Sequence, residues 1–321
     1  MKIQISKLLI SIFSCCFIFC GLLVFTSDAK AELLKYNTEQ IHFKSDKLEL
    51  EGTLFLPKSK TKVPGIVMVC GSGPINRDGK ITTIKSKDQI PFYRLWADYL
   101  SSHHIATLRF DKRYITHKSL NSLELTQTDQ IRDIISAVKY LKTRNEIDQN
   151  KIFILGHSEG GSIVPVAANQ LIDIAGIIIM ASPSVPIDNL FIEQLKMQHS
   201  PYVDVTKDAF VLLKENKFPK GGQIWGAGEF YWKEWIEYTE NINKIVLKSN
   251  KPTLVLQGLE DENYPPKILQ ENNANWEELA LSSKIITFKK YPNTSHSFLI
   301  GNTDSINKSA FEYIVHWIDN L

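Results

Sequence analysis

Residues 151–161 read Lys-Ile-Phe-Ile-Leu-Gly-His-Ser-Glu-Gly-Gly. The first five, 151–155, form a compact apolar run of the kind that a strand covered on both faces carries. Gly156-His157-Ser158-Glu159-Gly160 follows as a G-x-S-x-G pentapeptide, and a helical pattern runs from 161 to 171. Glycines in such a strand-to-helix turn keep side chains out of a sharp reversal, so the Ser158 hydroxyl stands above the sheet. The helix N-terminus behind it favours negative charge developing there. The pentapeptide alone turns up by chance in about one chain of this length in ten, so its placement carries the weight. The bland alternative is a glycine-rich turn with an incidental serine.

Outward from this stretch, short apolar runs alternate with longer mixed segments. Residues 40–44 and 48–56 show the period-two pattern of half-buried antiparallel strands, joined by a Ser45-Asp46-Lys47 turn. Runs at 65–70, 105–110, 174–180, 253–257 and 284–288 resemble 151–155, and helical patterns occupy 91–102, 128–144 and 309–321. The alternation predicts an α/β fold, a doubly wound, mostly parallel sheet with a short antiparallel start. From 183 to 251 the rhythm breaks into helical and aromatic sequence, predicting a helical cap insertion over the sheet edge.

A serine hydroxyl is a weak nucleophile at neutral pH. It needs a histidine base and a carboxylate to orient that base, here in the chain order Ser, Asp/Glu, His. Gly258-Leu259-Glu260-Asp261 follows the run at 253–257, and Tyr291-Pro292-Asn293-Thr294-Ser295-His296 follows the run at 284–288. Asp261 is favoured over Glu260 and Glu262 by its spacing after the strand. His296 is favoured because His103, His104, His157 and His316 do not follow a late strand.

The oxyanion formed on attack requires backbone N–H donors. The Glu159 amide is one, and the second is assigned to the Ser72 amide in the loop Cys70-Gly71-Ser72-Gly73-Pro74-Ile75-Asn76-Arg77-Asp78-Gly79. That loop is not a dinucleotide fingerprint, which needs glycine at Asn76. Nor is it a phosphate-binding P-loop, which needs glycine at Pro74 and Ser or Thr at Ile81. Arg77, Asp78, Lys112 and Arg113 have two readings: they orient a substrate carboxylate, or they pair and fix the loops, and the second is the stronger. No H-E-x-x-H, C-x-x-C or carboxylate-rich loop suggests a metal.

Cys70 to Gly79, Arg109-Phe110-Asp111-Lys112-Arg113, Gly156 to Gly161, Leu256 to Asp261 and His296 together resemble the α/β-hydrolase superfamily. More narrowly they resemble its bacterial esterases with a G-S-G-P-x-x-R-D-G loop, near the serine-aminopeptidase and acyl-thioesterase branches. The resemblance covers residues 40–321, least well in the cap. It implies an eight-stranded sheet, ester hydrolysis through an acyl-enzyme, and no cofactor. Two positions depart from the pattern: Cys70 stands where histidine is usual, and Tyr114 where glycine usually continues the D-K-R segment.

Residues 1–31 read as an export segment, with Lys2 and Lys7, an 18-residue apolar run at 8–25, and the cleavage signal Ala29-Lys30-Ala31. That run also reaches the minimum for an uncleaved membrane tether. The expected products are a signal peptide at 1–31, a hydrolase domain at 32–321, and a secreted or periplasmic protein. Removing Lys2, Lys7, Lys30 and Asp28 from the chain's 37 basic and 35 acidic residues leaves 34 of each. A neutral body has no electrostatic footprint for nucleic acid. Cys15, Cys16 and Cys20 leave with the segment, so Cys70 has no disulfide partner.

The expected function is a serine hydrolase, a carboxylesterase acting on a small acyl ester. Its substrate-binding residues are not identified, although one or two of Trp225, Phe230, Tyr231, Trp232, Trp235 and Tyr238 line an acyl pocket while most pack the cap. An aminopeptidase is the nearest rival and would need a cap acid such as Glu229 or Glu237 for the free amine. A thioesterase on the same triad, or a non-catalytic binding protein of the cell envelope, are the others.

Overall fold

The structure, a computed structural model, describes residues 35–301 and 303–321. The expected export segment at 1–31 and its apolar run at 8–25 lie outside the described residues. No helix among the described residues is long and apolar enough to cross a membrane.

Strands β1 (Tyr36–Ser45) and β2 (Leu48–Pro57) form an antiparallel hairpin closed by the Ser45–Leu48 pair, with Asp46 taking the left-handed turn position at φ 52°. The chain continues through β3 (Val63–Val69), α1 (Phe92–Ser102), β4 (Ala106–Phe110), the short α2 (Arg113–Thr116) and α3 (Gln127–Lys142). It then forms β5 (Ile147–His157), α4 (Glu159–Ala168), β6 (Gly176–Met180), α5 (Ile187–Met197), α6 (Val203–Lys214), α7 (Glu229–Glu240) and α8 (Ile242–Ser249). The last elements are β7 (Thr253–Gly258), α9 (Pro266–Ser282), β8 (Ile286–Tyr291) and α10 (Lys308–Asp319).

The eight strands form one sheet in the order β1-β2-β4-β3-β5-β6-β7-β8, antiparallel up to β4 and parallel from there on. Strands β4, β6 and β7 are buried along their whole length, which is why their sequences are mostly apolar, with Thr107, Arg109, Thr253 and Gln257 as buried polar exceptions. Strand β3 lies between β4 and β5, so the chain leaves it towards one side and later returns on the other. Loops diverging from the carboxyl ends of β3 and β5 therefore open a crevice, the usual place for a ligand in such sheets.

Local chemistry sets the helix starts. Thr126 and Asp129 form a reciprocal capping box at α3. Helix α9 begins with Pro266 at its first turn, and the apolar pattern of the sequence does not mark it. Its buried positions are Ile268, Asn272, Trp276 and Leu279, and Asn272 interrupts the stripe with an amide that accepts from the Ser184 N–H at 2.6 Å. Between β6 and β7 the interval 183–251 holds α5 to α8. These build a second apolar cluster, including Leu190, Phe210, Trp232, Trp235 and Ile236, joined by Tyr264 and Ile268.

Candidate active site

Strand β5 ends at His157 and α4 begins at Glu159, which leaves Ser158 alone at the turn with φ 54° and ψ −121°. A non-glycine residue there is strained by roughly 1–3 kcal/mol. The flanking glycines have a steric reason: a Cβ on Gly156 would stand 2.3 Å from the Gly160 carbonyl oxygen, and one on Gly160 2.6 Å from that of Val69. Only bare backbone lets the turn pack against β3.

Asp261 follows β7 and is buried, with both carboxylate oxygens 2.9 Å from Nδ1 of His296. Gln257 Nε2 and the Asn263 N–H donate to the same carboxylate at 2.8 and 3.0 Å and hold its orientation. Burial opposes a charge on His296, yet the adjacent Asp261 more than offsets this and holds its pKa above the ordinary imidazole value. With Nδ1–H donated to Asp261, Nε2 is left as the basic nitrogen. The two competing acids sit differently: Glu262 accepts the backbone N–H of His296 at 2.9 Å, and Glu260 is exposed. The described hydrogen bonds of the His296 ring go to Asp261 alone, and Ser158 meets it as a fellow lining residue of one cavity.

That cavity measures about 490 Å³. Ser72, Gly73 and Pro74 of the loop after β3 form one wall, and Phe191, Trp225, Tyr231, Trp232 and Trp235 form another. No Asp, Glu, Lys or Arg lines it among the described residues. Of the aromatics expected in the cap, Trp225, Tyr231, Trp232 and Trp235 face this space, and Phe230 is 62% exposed.

Two buried polar networks brace the site. In the first, the Gly71 N–H donates to the Tyr93 hydroxyl at 2.6 Å, Tyr93 donates to His157 Nδ1 at 2.7 Å, and His157 Nε2 donates to the His296 carbonyl at 2.9 Å. The order of donors requires neutral His157, and burial with the nearby His296 pushes its pKa well down. In the second, the fully buried Glu159 carboxylate accepts from Lys112 Nζ at 2.8 Å, Gln127 Nε2 at 2.7 Å, Gln130 Nε2 at 3.0 Å and the Tyr231 hydroxyl at 2.6 Å. Burial opposes its charge, but Lys112 and these donors hold it below the usual carboxylate range.

The four charged residues read from sequence as substrate-orienting or loop-fixing are paired within the protein. Arg77 binds Asp111 at 2.8 Å, Asp78 binds Arg109, Lys112 binds Glu159, and Arg113 binds Asp129 at 2.8 Å and Asp133 at 2.7 Å. They fix loops, and none lines the cavity. Cys70 is buried beneath the loop, its thiol pushed up to about 12 by burial, so it is not a nucleophile at neutral pH. Tyr93, Gln127 and the side-chain role of Glu159 carried no local signal in the sequence. Tyr114 did, as the departure from glycine after the D-K-R segment.

A family model described as the prolyl oligopeptidase family matches residues 121–321, more than half of the chain, including Ser158, Asp261 and His296. The chain belongs to the prolyl oligopeptidase family. The α/β-hydrolase resemblance seen in the sequence holds at the level of fold. Similarity extends to esterase EstD of Thermotoga maritima, 24% identical over 284 residues, covering 84% of this chain and 65% of that protein. The acylaminoacyl peptidase of Pyrococcus horikoshii superposes with a TM-score of 0.59 at 18% identity, covering 90% of this chain but 42% of that one. Est1E of Butyrivibrio proteoclasticus superposes with a TM-score of 0.56 at 18% identity, over 88% and 98%. The chain thus spans about two thirds of the esterase it matches and less than half of the peptidase. The loop after β3 and Tyr114 precede the segment that defines membership of the prolyl oligopeptidase family.

Proposed function

We propose that this protein is a serine hydrolase that cleaves small uncharged acyl esters, a carboxylesterase. The observation that carries the reading is His296, held by Asp261, lining the same cavity as a strained Ser158 on a strand-to-helix turn. Ser158 Oγ attacks the ester carbonyl as His296 Nε2 takes its proton, and the oxyanion is held by the amides of Ser72 and Glu159. His296 then passes the proton to the departing alcohol, and water attacks the acyl-enzyme by the same path in reverse.

The uncharged, aromatic-lined cavity supports neutral acyl groups over substrates with a free α-amine, which need an anion. The acids considered for that role are engaged or remote: Glu229 pairs with Lys233 at 2.6 Å and Glu237 is exposed, and neither lines the cavity. Membership of the prolyl oligopeptidase family, together with the shared fold of an acylaminoacyl peptidase, favours one second reading, cleavage of peptides whose N-terminus is blocked by an acyl group. Purified protein assayed on nitrophenyl esters, thioesters, blocked aminoacyl anilides and free-amine anilides separates these. Wild-type ester hydrolysis by Ser158→Ala, or absence of a fluorophosphonate adduct on Ser158, overturns the hydrolase reading.

The basic start, the apolar run at 8–25 and Ala29-Lys30-Ala31 support export, with release at Glu32 or retention by the run as a tether. The neutral body supports a small-molecule substrate and no nucleic-acid partner. Mass spectrometry of the protein from the envelope and external fractions tests this, with Glu32 as the expected N-terminus of the released form.

A further inference from the structure

The two amides assigned to the oxyanion site belong to different strands. Ser72 lies in the loop after β3, and Glu159 begins the helix after β5. A path of contacts joins them, buried at Glu159 and Lys112 and reaching the surface at Gly73. The Glu159 carboxylate holds Lys112 Nζ at 2.8 Å, Lys112 Nζ lies 5.9 Å from the centre of the Tyr114 ring, and the Tyr114 hydroxyl donates to the carbonyl of Gly73, next to Ser72. Gly73 is the joint of this loop: its φ is +77°, and no atom lies within 4 Å of where its Cβ would be. An unpacked glycine permits peptide rotation. The Gly73 carbonyl also accepts the Ile75 N–H at 2.8 Å within the loop, so the bond from Tyr114 is the one that ties this carbonyl to a residue outside the loop.

Beyond Gly73 the loop holds itself. Asn76 Oδ1 accepts the N–H groups of Asp78 and Lys80 at 3.1 and 2.9 Å, and the Gly79 N–H donates to the Asn76 carbonyl at 2.9 Å. On the other side, Gly71 is held by Tyr93. The 72–74 segment between these anchors lines the cavity together with Tyr114. Burial raises the Tyr114 hydroxyl pKa, so it remains a donor at neutral pH.

We propose that Tyr114, seated on the Lys112–Glu159 pair, is a positioning residue that sets the Ser72 amide relative to the Glu159 amide and so acts on the transition state. The proposal rests on Ser158 being the nucleophile. It differs from a substrate-contact role, which Tyr114 would also have the location for, because an oxyanion donor out of place lowers kcat and leaves ground-state binding intact.

The test compares Tyr114→Phe with wild type for kcat and KM on a nitrophenyl ester, and for affinity towards a trifluoromethyl ketone, whose hemiketal carries the oxyanion. Complete removal of one donor costs about 100- to 1,000-fold, so its displacement is expected to lower kcat by about 10-fold or more. KM should stay within about twofold, and ketone affinity should fall by the same factor as kcat. The melting temperature is measured alongside. Unchanged kcat and ketone affinity overturn the proposal, as does a rise in KM alone, which would make Tyr114 a cavity wall. Failure of Tyr114→Phe to fold also overturns it, by assigning the hydroxyl to stability. Ser158→Ala run in parallel separates the two ideas. Activity in that variant removes the nucleophile reading itself, whereas an inactive Ser158→Ala beside a wild-type-like Tyr114→Phe removes only the positioning role.

Discussion

His157 Nε2 lies 2.9 Å from the backbone carbonyl oxygen of His296, so the residue before the proposed nucleophile braces the loop of the proposed base. Tyr93 completes the brace by donating to His157 and accepting from Gly71. Tyr93→Phe should leave a buried amide and a buried ring nitrogen without partners, each costing about 1–3 kcal/mol. Denaturant unfolding should show a loss of about 2–6 kcal/mol. The His157 imidazole should titrate well below the ordinary value of about 6.5 when followed by NMR; titration near that value would contradict its place as acceptor from Tyr93.

The base must be neutral to accept a proton, so activity should rise with pH as His296 loses its charge. Because Asp261 holds the His296 pKa above its ordinary value of 6.5, the midpoint of the rising limb of kcat/KM should lie above about 6.5. Asp261→Asn removes the attraction, so the limb should move towards acid while kcat falls by about 10,000-fold. A pH–rate profile of both proteins checks the direction. A limb unmoved in the variant would mean that another group controls it.

Glu159 and Lys112 form a buried pair, and breaking such a pair from one side costs about 3–5 kcal/mol. Glu159→Gln should therefore destabilise strongly, and adding Lys112→Met should recover part of the loss, as a double-mutant cycle would read out. The folded-state pKa of Glu159 is depressed, so its contribution is fully present above the unfolded value of about 4.5 and is lost as pH falls through the folded value. Acid unfolding of the wild type should show this limb, and Glu159→Gln should lack its share of it.

The left-handed backbone at Ser158 is strained for any side chain but free for glycine. Ser158→Gly and Ser158→Ala should be equally inactive, while Ser158→Gly should be the more stable by about 1 kcal/mol. Thermal melts of the two variants compare them directly. Equal stabilities would show that the turn carries no strain.

Much of this architecture was legible in the chain because its determinants are local. The apolar runs of β3 to β8 marked strands, the break in rhythm marked 183–251, and the glycines around Ser158 marked the turn. Helix α9 was not legible because a buried amide, Asn272, replaces an apolar residue in its stripe. The contest among Glu260, Asp261 and Glu262 was weighed by spacing alone. In the folded protein the three neighbouring acids point to three places, to solvent, to the His296 ring and to the His296 backbone.

The sequence by itself determined the order of the strands, the chain order Ser158, Asp261, His296, and the bare backbone at Gly156 and Gly160. Each follows from steric or hydrophobic preferences acting over a few residues. Only the tertiary structure decided the rest: that Glu159 is a buried hub, that Tyr93 and His157 tie three loops together, that the charged loop residues are paired, and that the cavity is uncharged. Lys112 and Glu159 stand 47 positions apart, Tyr93 and His157 64, and Glu159 and Tyr231 72. Such contacts have no periodicity to read. They arise because burial makes an unpaired polar group costly, so most buried polar groups find a partner, and packing settles which one.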